Sequence, residues 1–167
     1  QSEKFVDVQT PDSQSMTPLH KVCQNGSLMI VNMLLRTGNA DVNAQDVMDR
    51  TPLHFTTNPD LINILASFGA VLSKKDYLGR TPLLFLCEQG NKQGASMLLE
   101  KGPETVIICD NMKRTLLHHC AIGKVIDILT DTSSLDVNAQ DINQQTALHI
   151  SASNDDEQST RDLLKIG

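Results

Sequence analysis

Apolar residues recur along the chain at the spacing of short amphipathic helices. After Thr17, the residues Leu19, Val22 and Cys23 share one face of a first predicted helix. A second predicted helix has its apolar face at Ile30, Val31, Leu34 and Leu35. The stretch from there to Thr51 is rich in Asn and Asp, which favour turns. The pattern therefore predicts two helices followed by a loop.

Residues at the predicted helix ends support these boundaries. Thr17 is an N-capping residue type, and Pro18 occupies the first helical position, where its missing N–H costs nothing. Gly26 and Gly38 stand where the two helices should end, since glycine readily adopts the left-handed conformation that closes many helices.

The same unit returns along the chain. The segments TPLH, TPLH, TPLL, TLLH and TALH begin at residues 17, 51, 81, 115 and 146, with spacings of 34, 30, 34 and 31 residues. The segment DVNAQD occurs at 41–46 and at 136–141, each time shortly before one of these copies. Self-similarity at such a period is typical of solenoid proteins.

This pattern closely resembles the ankyrin repeat. The resemblance covers residues 12–167 as five units of about 12–45, 46–75, 76–109, 110–140 and 141–167, with 1–11 as an N-terminal extension. It implies an all-α solenoid, in which helix-turn-helix units stack in a right-handed array and project β-hairpin loops along one edge. Each unit is too small to fold alone, so neighbouring units must bury one continuous core between them.

Histidine recurs in step with the repeat. His20, His54, His118 and His149 stand in one register, and Leu84 takes that place in the third unit. A catalytic residue is not expected once per unit. We therefore predict that each imidazole hydrogen-bonds to the nearby Thr and loop backbone.

Three of the four cysteines fall where one helix should pack on the next. Cys23 and Cys87 stand six residues after their Thr, and Cys120 stands five after. We expect buried, reduced thiols and hence an intracellular location, cytoplasmic or nuclear. An alternative is a metal or redox site formed by His118, His119 and Cys120, although these residues lack the usual spacing of zinc ligands.

Composition and motifs narrow the function classes further. The formal charge is −6 and Lys and Arg are not clustered, which argues against direct binding of nucleic acid. No apolar run approaches the roughly 18 residues of a membrane span, and the amino terminus has neither an initiating Met nor a secretion signal. Phosphate-loop, GxSxG and HExxH signatures are also lacking. We expect a monomeric fragment of a larger protein, without enzymatic activity, cofactor or metal.

The ankyrin resemblance implies that hairpin tips and the exposed side of each first helix are free to bind a partner. Here many of these positions are apolar, aromatic or Arg, the types enriched in interface centres. We predict a groove over units two to four that receives a peptide or helix with hydrophobic anchors and acidic flanks. Packing of some of these side chains within the scaffold is the alternative. The predicted partner-binding residues are Val47, Met48, Arg50, Phe55, Tyr77, Leu78, Arg80, Phe85, Met112, Arg114, His119 and Ile142.

Two units are shorter than the others. From the Thr to the first Leu of the closing pair there are 17 residues in units one, three and five, but 14 in units two and four. Three residues are close to one helical turn, so the apolar faces should stay aligned while the turn edge becomes notched. Asn58 and Pro59 should end the first helix of unit two and begin its second.

Asn43 and Asn138 occupy the same place in the two DVNAQD segments, and we expect each amide to have a structural role.

Taken together, the sequence predicts a non-enzymatic protein–protein interaction module or scaffold that binds a partner segment through its concave surface. The alternative is a regulatory or targeting domain of a larger enzyme, which docks intramolecularly or onto its substrate.

Overall fold

The computed structural model describes residues 7–36, 40–129 and 135–166. Within these ranges the chain forms eight α-helices and three short 3₁₀ helices, and no strand. The α-helices are α1 (Pro18–Asn25), α2 (Leu28–Arg36), α3 (Pro59–Ser67), α4 (Pro82–Glu88), α5 (Lys92–Lys101), α6 (Leu116–Gly123), α7 (Ala147–Ser153) and α8 (Glu157–Ile166). The 3₁₀ helices are Pro52–Phe55, Pro103–Ile107 and Ile126–Leu129.

The helices pack in two rows. In the first row α1 contacts the 3₁₀ helix Pro52–Phe55, which contacts α4, and α4 then packs on α6 and α6 on α7. In the second row α2 contacts α3, α3 contacts α5, and the 3₁₀ helix Ile126–Leu129 lies between α5 and α8. These contacts confirm the predicted stack of helix pairs.

The core runs through the stack between the rows. The leucine two residues after the Thr is fully buried or nearly so in units one to four, at Leu19, Leu53, Leu83 and Leu117. Burial of one such side chain contributes roughly 1.5–3 kcal/mol. Leu148 holds the same position at the end of the stack and is 38% exposed.

The register histidines join neighbouring units. The Nδ1 atom of His20 accepts a hydrogen bond from the backbone N–H of Thr17 at 3.1 Å, and its Nε2 atom lies 3.0 Å from the carbonyl oxygen of Arg50. Because a carbonyl can only accept, Nε2 carries the proton and the ring is neutral. The same contacts join His54 to Arg80 and His118 to Gln145. The predicted Thr and loop bonds are confirmed for these three histidines, and the loop belongs to the next unit. For His149 the described part of the chain shows the bond to Thr146 alone.

The projecting loops, which we predicted to be β-hairpins, are built from turns and contain no strand within the described residues. The Asp46 carboxylate accepts hydrogen bonds from the backbone N–H groups of Met48 and Arg50, both at 2.9 Å, and closes an ion pair with the Arg50 guanidinium at 2.7 Å. The two other pairs of this kind are Asp76 with Arg80 and Asp110 with Arg114. One backbone hydrogen bond joins each tip to the previous one, such as that from the Tyr77 N–H to the Met48 carbonyl at 2.9 Å.

Helix ends follow the predicted signals wherever the structure describes them. Gly26 ends α1 with a φ of 80°, in the left-handed region that glycine tolerates. Asn58 caps α3, its side chain accepting from the Asp60 N–H, and Pro59 is the first helical residue. Gly38, which we expected to end α2, lies outside the described residues.

The two short units absorb their shortening in different places. In unit two the first helix is reduced to the 3₁₀ helix Pro52–Phe55. In unit four the first helix, α6, keeps eight residues, and the next element begins at Ile126 and is described as a 3₁₀ helix to Leu129. The shortening of unit four therefore lies after α6, whereas that of unit two lies within its first helix.

Candidate functional site

The tips of the projecting loops present a row of exposed apolar side chains. Each of units two and three contributes an adjacent pair, and units four and five contribute one residue each. Their exposed fractions are 60% for Val47, 39% for Met48, 65% for Tyr77, 41% for Leu78, 39% for Met112 and 50% for Ile142. We call these six residues the tip row.

Buried aspartates position the tip row. Burial favours the neutral form of Asp46, but hydrogen bonds from Arg50 and Met48 outweigh it and lower the pKa of that carboxyl. The charged form therefore persists and keeps the tip closed. Asp76, Asp110 and Asp141 accept the same pair of backbone hydrogen bonds in the later units.

The three arginines among the predicted partner-binding residues are engaged within the scaffold. The Arg50 guanidinium lies 4.6 Å from the centre of the Phe55 ring, and that of Arg80 lies 4.9 Å from the Phe85 ring. Arg80 also forms an ion pair with Glu88 at 3.1 Å, and Arg114 pairs with Asp110 at 2.8 Å. Since these charges are compensated, the geometry offers little to an acidic flank of a partner.

The half-buried rings of Phe55 and Phe85 line a cleft of about 590 Å³ on the first-helix side of units one to three. Its other walls include Gln24, Thr57 and Gln89, and the cleft lies where the first helix of unit two is short. The predicted notch is therefore present in unit two. Sequence reasoning missed Gln24, Thr57 and Gln89 as lining residues, although the three-residue shortening was the signal that could have found them.

His119 requires a correction. We predicted it as a partner-binding residue, but its side chain has no exposed surface. Its Nε2 atom lies 3.1 Å from Asp110 Oδ2 and its Nδ1 atom 3.2 Å from Glu88 Oε2. The imidazole therefore contacts the scaffold from inside and lies behind the surface that a partner would touch.

The alternative of a metal or redox site gains no support. His118 is engaged by Thr115 and Gln145, and the described residues contain no group of three His, Cys, Asp or Glu able to hold a metal ion. Burial raises the pKa of Cys23 to about 11 and that of Cys120 well above its ordinary value. Such thiols stay protonated and are poor nucleophiles or ligands.

The predicted burial of three cysteines between helices agrees with the structure. All four cysteines are free, and three of them, Cys23, Cys87 and Cys120, are buried between helices.

The Asn43 amide has the predicted structural role, since it donates to the Gly69 carbonyl and accepts from the Val71 N–H.

None of the helices in the described ranges combines the length and apolar character that crossing a membrane requires.

Comparison with known proteins gives a consistent result. Two family descriptions, "Ankyrin repeats (many copies)" and "Ankyrin repeats (3 copies)", match residues 3–55 and 55–141. The chain is 30% identical over 159 residues to Rabankyrin-5 of Mus musculus, covering 90% of this chain and 14% of that protein. It is 28% identical over 175 residues to the transient receptor potential cation channel subfamily A member 1 of Homo sapiens, covering 96% of this chain and 15% of the channel. The Ankyrin repeat protein nuc-2 of Neurospora crassa is 35% identical over 96 residues, or 54% of this chain and 9% of that protein. The chain thus spans a small part of the relatives it matches.

Proposed function

The chain belongs to the ankyrin repeat family, and on that premise we propose that it is a non-enzymatic module that binds a segment of another protein through its tip row and the adjoining first-helix face. Ankyrin repeats generally act as protein-interaction modules, and no enzymatic family is indicated.

The observation that carries the proposal is the continuity of the tip row. Tyr77 and Leu78 stand between Met48 on one side and Met112 on the other, because a backbone hydrogen bond ties each tip to the next. Large apolar and aromatic side chains at such exposed positions are the types that dominate binding energy in interfaces. Because these side chains are exposed, we expect them to contribute little to folding.

Preorganisation is the proposed mechanism. Each tip is held by its Asp and by its neighbour's backbone, and in units two, three and five also by a histidine from the preceding unit, so little conformational freedom remains to be lost on binding. The partner supplies hydrophobic anchors, as a peptide or as a helix. Because the Arg side chains are already paired, apolar contact contributes more than charge attraction.

A photo-crosslinking amino acid placed at Tyr77 in the full-length protein tests the proposal, with one at Met29 as the control. Met29 is 72% exposed on α2, outside the tip row. We expect reproducible crosslinks to a protein segment from position 77 and none from position 29, and we expect Met112→Ala to reduce their yield. Equal crosslinks from both positions would contradict the proposal. Crosslinks that fall within the same polypeptide would favour the alternative, a regulatory domain that docks intramolecularly.

The proposed location is intracellular, cytoplasmic or nuclear. It is supported by four free cysteines, three of them buried where a disulfide would disturb helix packing. Fractionation of cells that produce the full-length protein tests this, and recovery from the secreted fraction would contradict it.

A further inference from the structure

The cleft beside the short first helix of unit two is bounded by both neighbouring units. Pro52–Phe55 is a 3₁₀ helix of four residues, whereas α1 before it has eight residues and α4 after it has seven. Gln24 from α1 and Gln89 at the end of α4 both line the cleft. Its volume of about 590 Å³ lies within the range of roughly 300–1,000 Å³ that is usual for pockets that bury small ligands. The space left by the missing helical turn is therefore large enough for a side chain of a partner.

Two phenyl rings in the wall of the cleft are held in place by the scaffold. The Arg50 guanidinium lies 4.6 Å from the centre of the Phe55 ring, and the His20 ring meets the same ring nearly at right angles, with centroids 5.9 Å apart. The Phe85 ring has the same two contacts, from the arginine of its own unit at 4.9 Å and the histidine of the preceding unit at 6.2 Å. Both phenyl rings are half-buried, so part of each stays open to a partner. Rings that are already fixed lose little freedom on binding.

Arg50 has one hydrogen-bonding group that its counterpart Arg80 has already used. Both arginines bind the aspartate of their own loop through Nε and Nη2. The Nη1 group of Arg80 also donates to the Glu88 carboxylate at 3.1 Å, seven residues after the Thr of that unit. Asn58 holds this position in unit two, and its side chain caps α3 instead. Within the described residues, Nη1 of Arg50 therefore has no such acceptor, and Arg50 lines the cleft.

The wall of the cleft carries no net charge. Among the described residues that line it, Arg50 alone is charged at neutral pH, and Asp46 compensates that charge at 2.7 Å. His54 also lines the cleft, and burial lowers its pKa to about 4, so its ring is neutral. A charged side chain of a partner would lose its water there without gaining an unpaired counter-ion. The cleft therefore favours an uncharged side chain.

Side-chain amides stand around the two rings. Those of Gln24 and Gln89 are exposed and form no hydrogen bond with another described residue. The Asn91 amide donates to the Thr57 carbonyl at 3.1 Å, which fixes the side of the cleft between units two and three. A primary amide both donates and accepts, as a peptide backbone does. The amides thus suit a peptide backbone, whereas the phenyl rings suit an aromatic side chain.

We propose that this cleft binds one uncharged aromatic side chain of the partner segment between Phe55 and Phe85, while Nη1 of Arg50 donates a hydrogen bond to a backbone carbonyl of that segment. A neutral acceptor suits Arg50, because Asp46 already compensates its charge. Arg50 belongs to the loop that carries Met48, so the cleft adjoins the tip row. This inference rests on the proposed function and adds what the partner must present.

N-acetyl-tryptophanamide, an uncharged aromatic amide, is a probe that tests the cleft without the partner. It is added to the ¹⁵N-labelled protein, and backbone and side-chain amides are followed by nuclear magnetic resonance. We expect saturable shifts at Gln24, Thr57 and Gln89. The α-amide of N-acetylglutamate, which has a charged side chain, should bind at least about tenfold more weakly. No saturable shift at the cleft, or equal binding of the two compounds, would overturn the proposal.

Thr57→Trp provides a variant in which the cleft is filled from its edge. Thr57 is exposed, and Ala152 is exposed at the same position of unit five, six residues after its Thr, so Ala152→Trp is the matched control. The probe's shifts at Gln89 should be lost in Thr57→Trp and kept in Ala152→Trp. Shifts that persist in a folded Thr57→Trp protein would contradict the proposal. If that variant does not fold, the titration of the unmodified protein still decides.

Crosslinking from position 77 separates a failure of this inference from a failure of the proposed function. In the full-length protein, Thr57→Trp should lower the yield of these crosslinks at least about tenfold relative to Ala152→Trp, because loss of a buried aromatic contact costs much of the binding energy. Equal yields from the two variants would overturn the role of the cleft and leave the proposed function standing. Absence of crosslinks even from the unmodified protein would count against the proposed function, and the probe titration would then decide on the cleft by itself.

Discussion

Replacing His54 with leucine should make the protein less sensitive to acid. The ring has no exposed surface, accepts from the Thr51 N–H at 3.1 Å and reaches the Arg80 carbonyl at 3.2 Å. Unit three has Leu84 in the same place, also fully buried, so the fold accommodates leucine there. The change removes one titrating group and keeps an apolar side chain of similar size.

The magnitude follows from the pKa of the buried ring. Burial lowers the pKa of His54 to about 4, whereas an unfolded histidine titrates near 6.5. As pH falls from about 6.5 to about 4, the unfolded chain takes up a proton that the folded chain refuses, so stability falls. At about 1.4 kcal/mol per pH unit, the loss approaches roughly 3 kcal/mol near pH 4.

Near pH 7 the substitution has opposing effects. The Thr51 N–H loses its acceptor, which costs about 1–3 kcal/mol, while burial of the leucine side chain offsets a similar amount. The Arg80 carbonyl keeps the hydrogen bond from the Asp76 N–H at 2.9 Å. We therefore expect His54→Leu to lie within about 2 kcal/mol of the unmodified protein at neutral pH.

Urea unfolding followed by circular dichroism, at several pH values between 7.5 and 4, gives the free energy of unfolding for both proteins. Relative to the unmodified protein, the free energy of unfolding of His54→Leu should become more favourable by roughly 3 kcal/mol as the pH falls across that range. His149→Leu is the matched control, because this register histidine is exposed at the end of the stack. Parallel pH profiles for His54→Leu and the unmodified protein would refute the reasoning.

Three further predictions concern the scaffold. Gly123→Ala should destabilise the protein by about 1–3 kcal/mol, because a Cβ atom there would overlap the Cys87 carbonyl; an unchanged midpoint of thermal unfolding would contradict this. Asn43→Ala should lower the free energy of unfolding in urea by about 1–2 kcal/mol, because it removes the hydrogen bonds to Gly69 and Val71. The Asn138 amide forms no such bridge in the described part of the chain, so Asn138→Ala should change that free energy by less than about 0.5 kcal/mol. Leu53→Ala should cost about 2–5 kcal/mol because the side chain is fully buried, whereas Tyr77→Ala should cost less than about 0.5 kcal/mol; a large loss for Tyr77→Ala would show that the tip row belongs to the core.

Much of the scaffold could be predicted because it depends on local chemistry that repeats. In units one and two a Thr is followed directly by Pro and, three residues after the Thr, by His, and these residues fix the start of the helix. Gly26 ends α1 through its own backbone preference. The register of His20 and His54 indicated a structural role before any contact was known. The exposed apolar residues at the tips were placed by the same register.

Exposure and pairing could not be predicted in the same way. Arg50 and Arg80 lie in the same loops as tip residues, yet each guanidinium is paired with an aspartate and stacked on an aromatic ring of its own unit. His119 shares a register with Phe55 and Phe85 but is completely buried. Position in a repeat predicts which face a residue lies on, and does not predict how far its side chain is covered by groups from its own and neighbouring units.

The shortened units show the same division. The sequence by itself determined that units two and four lack three residues and that Asn58 and Pro59 start a helix in unit two, because proline fixes its own backbone angle. Only the tertiary structure decided that the shortening in unit four lies after α6, since α6 is held at eight residues by packing against α4 and α7. Local preferences depend on neighbouring residues, whereas burial depends on residues about thirty positions away that the stack brings together.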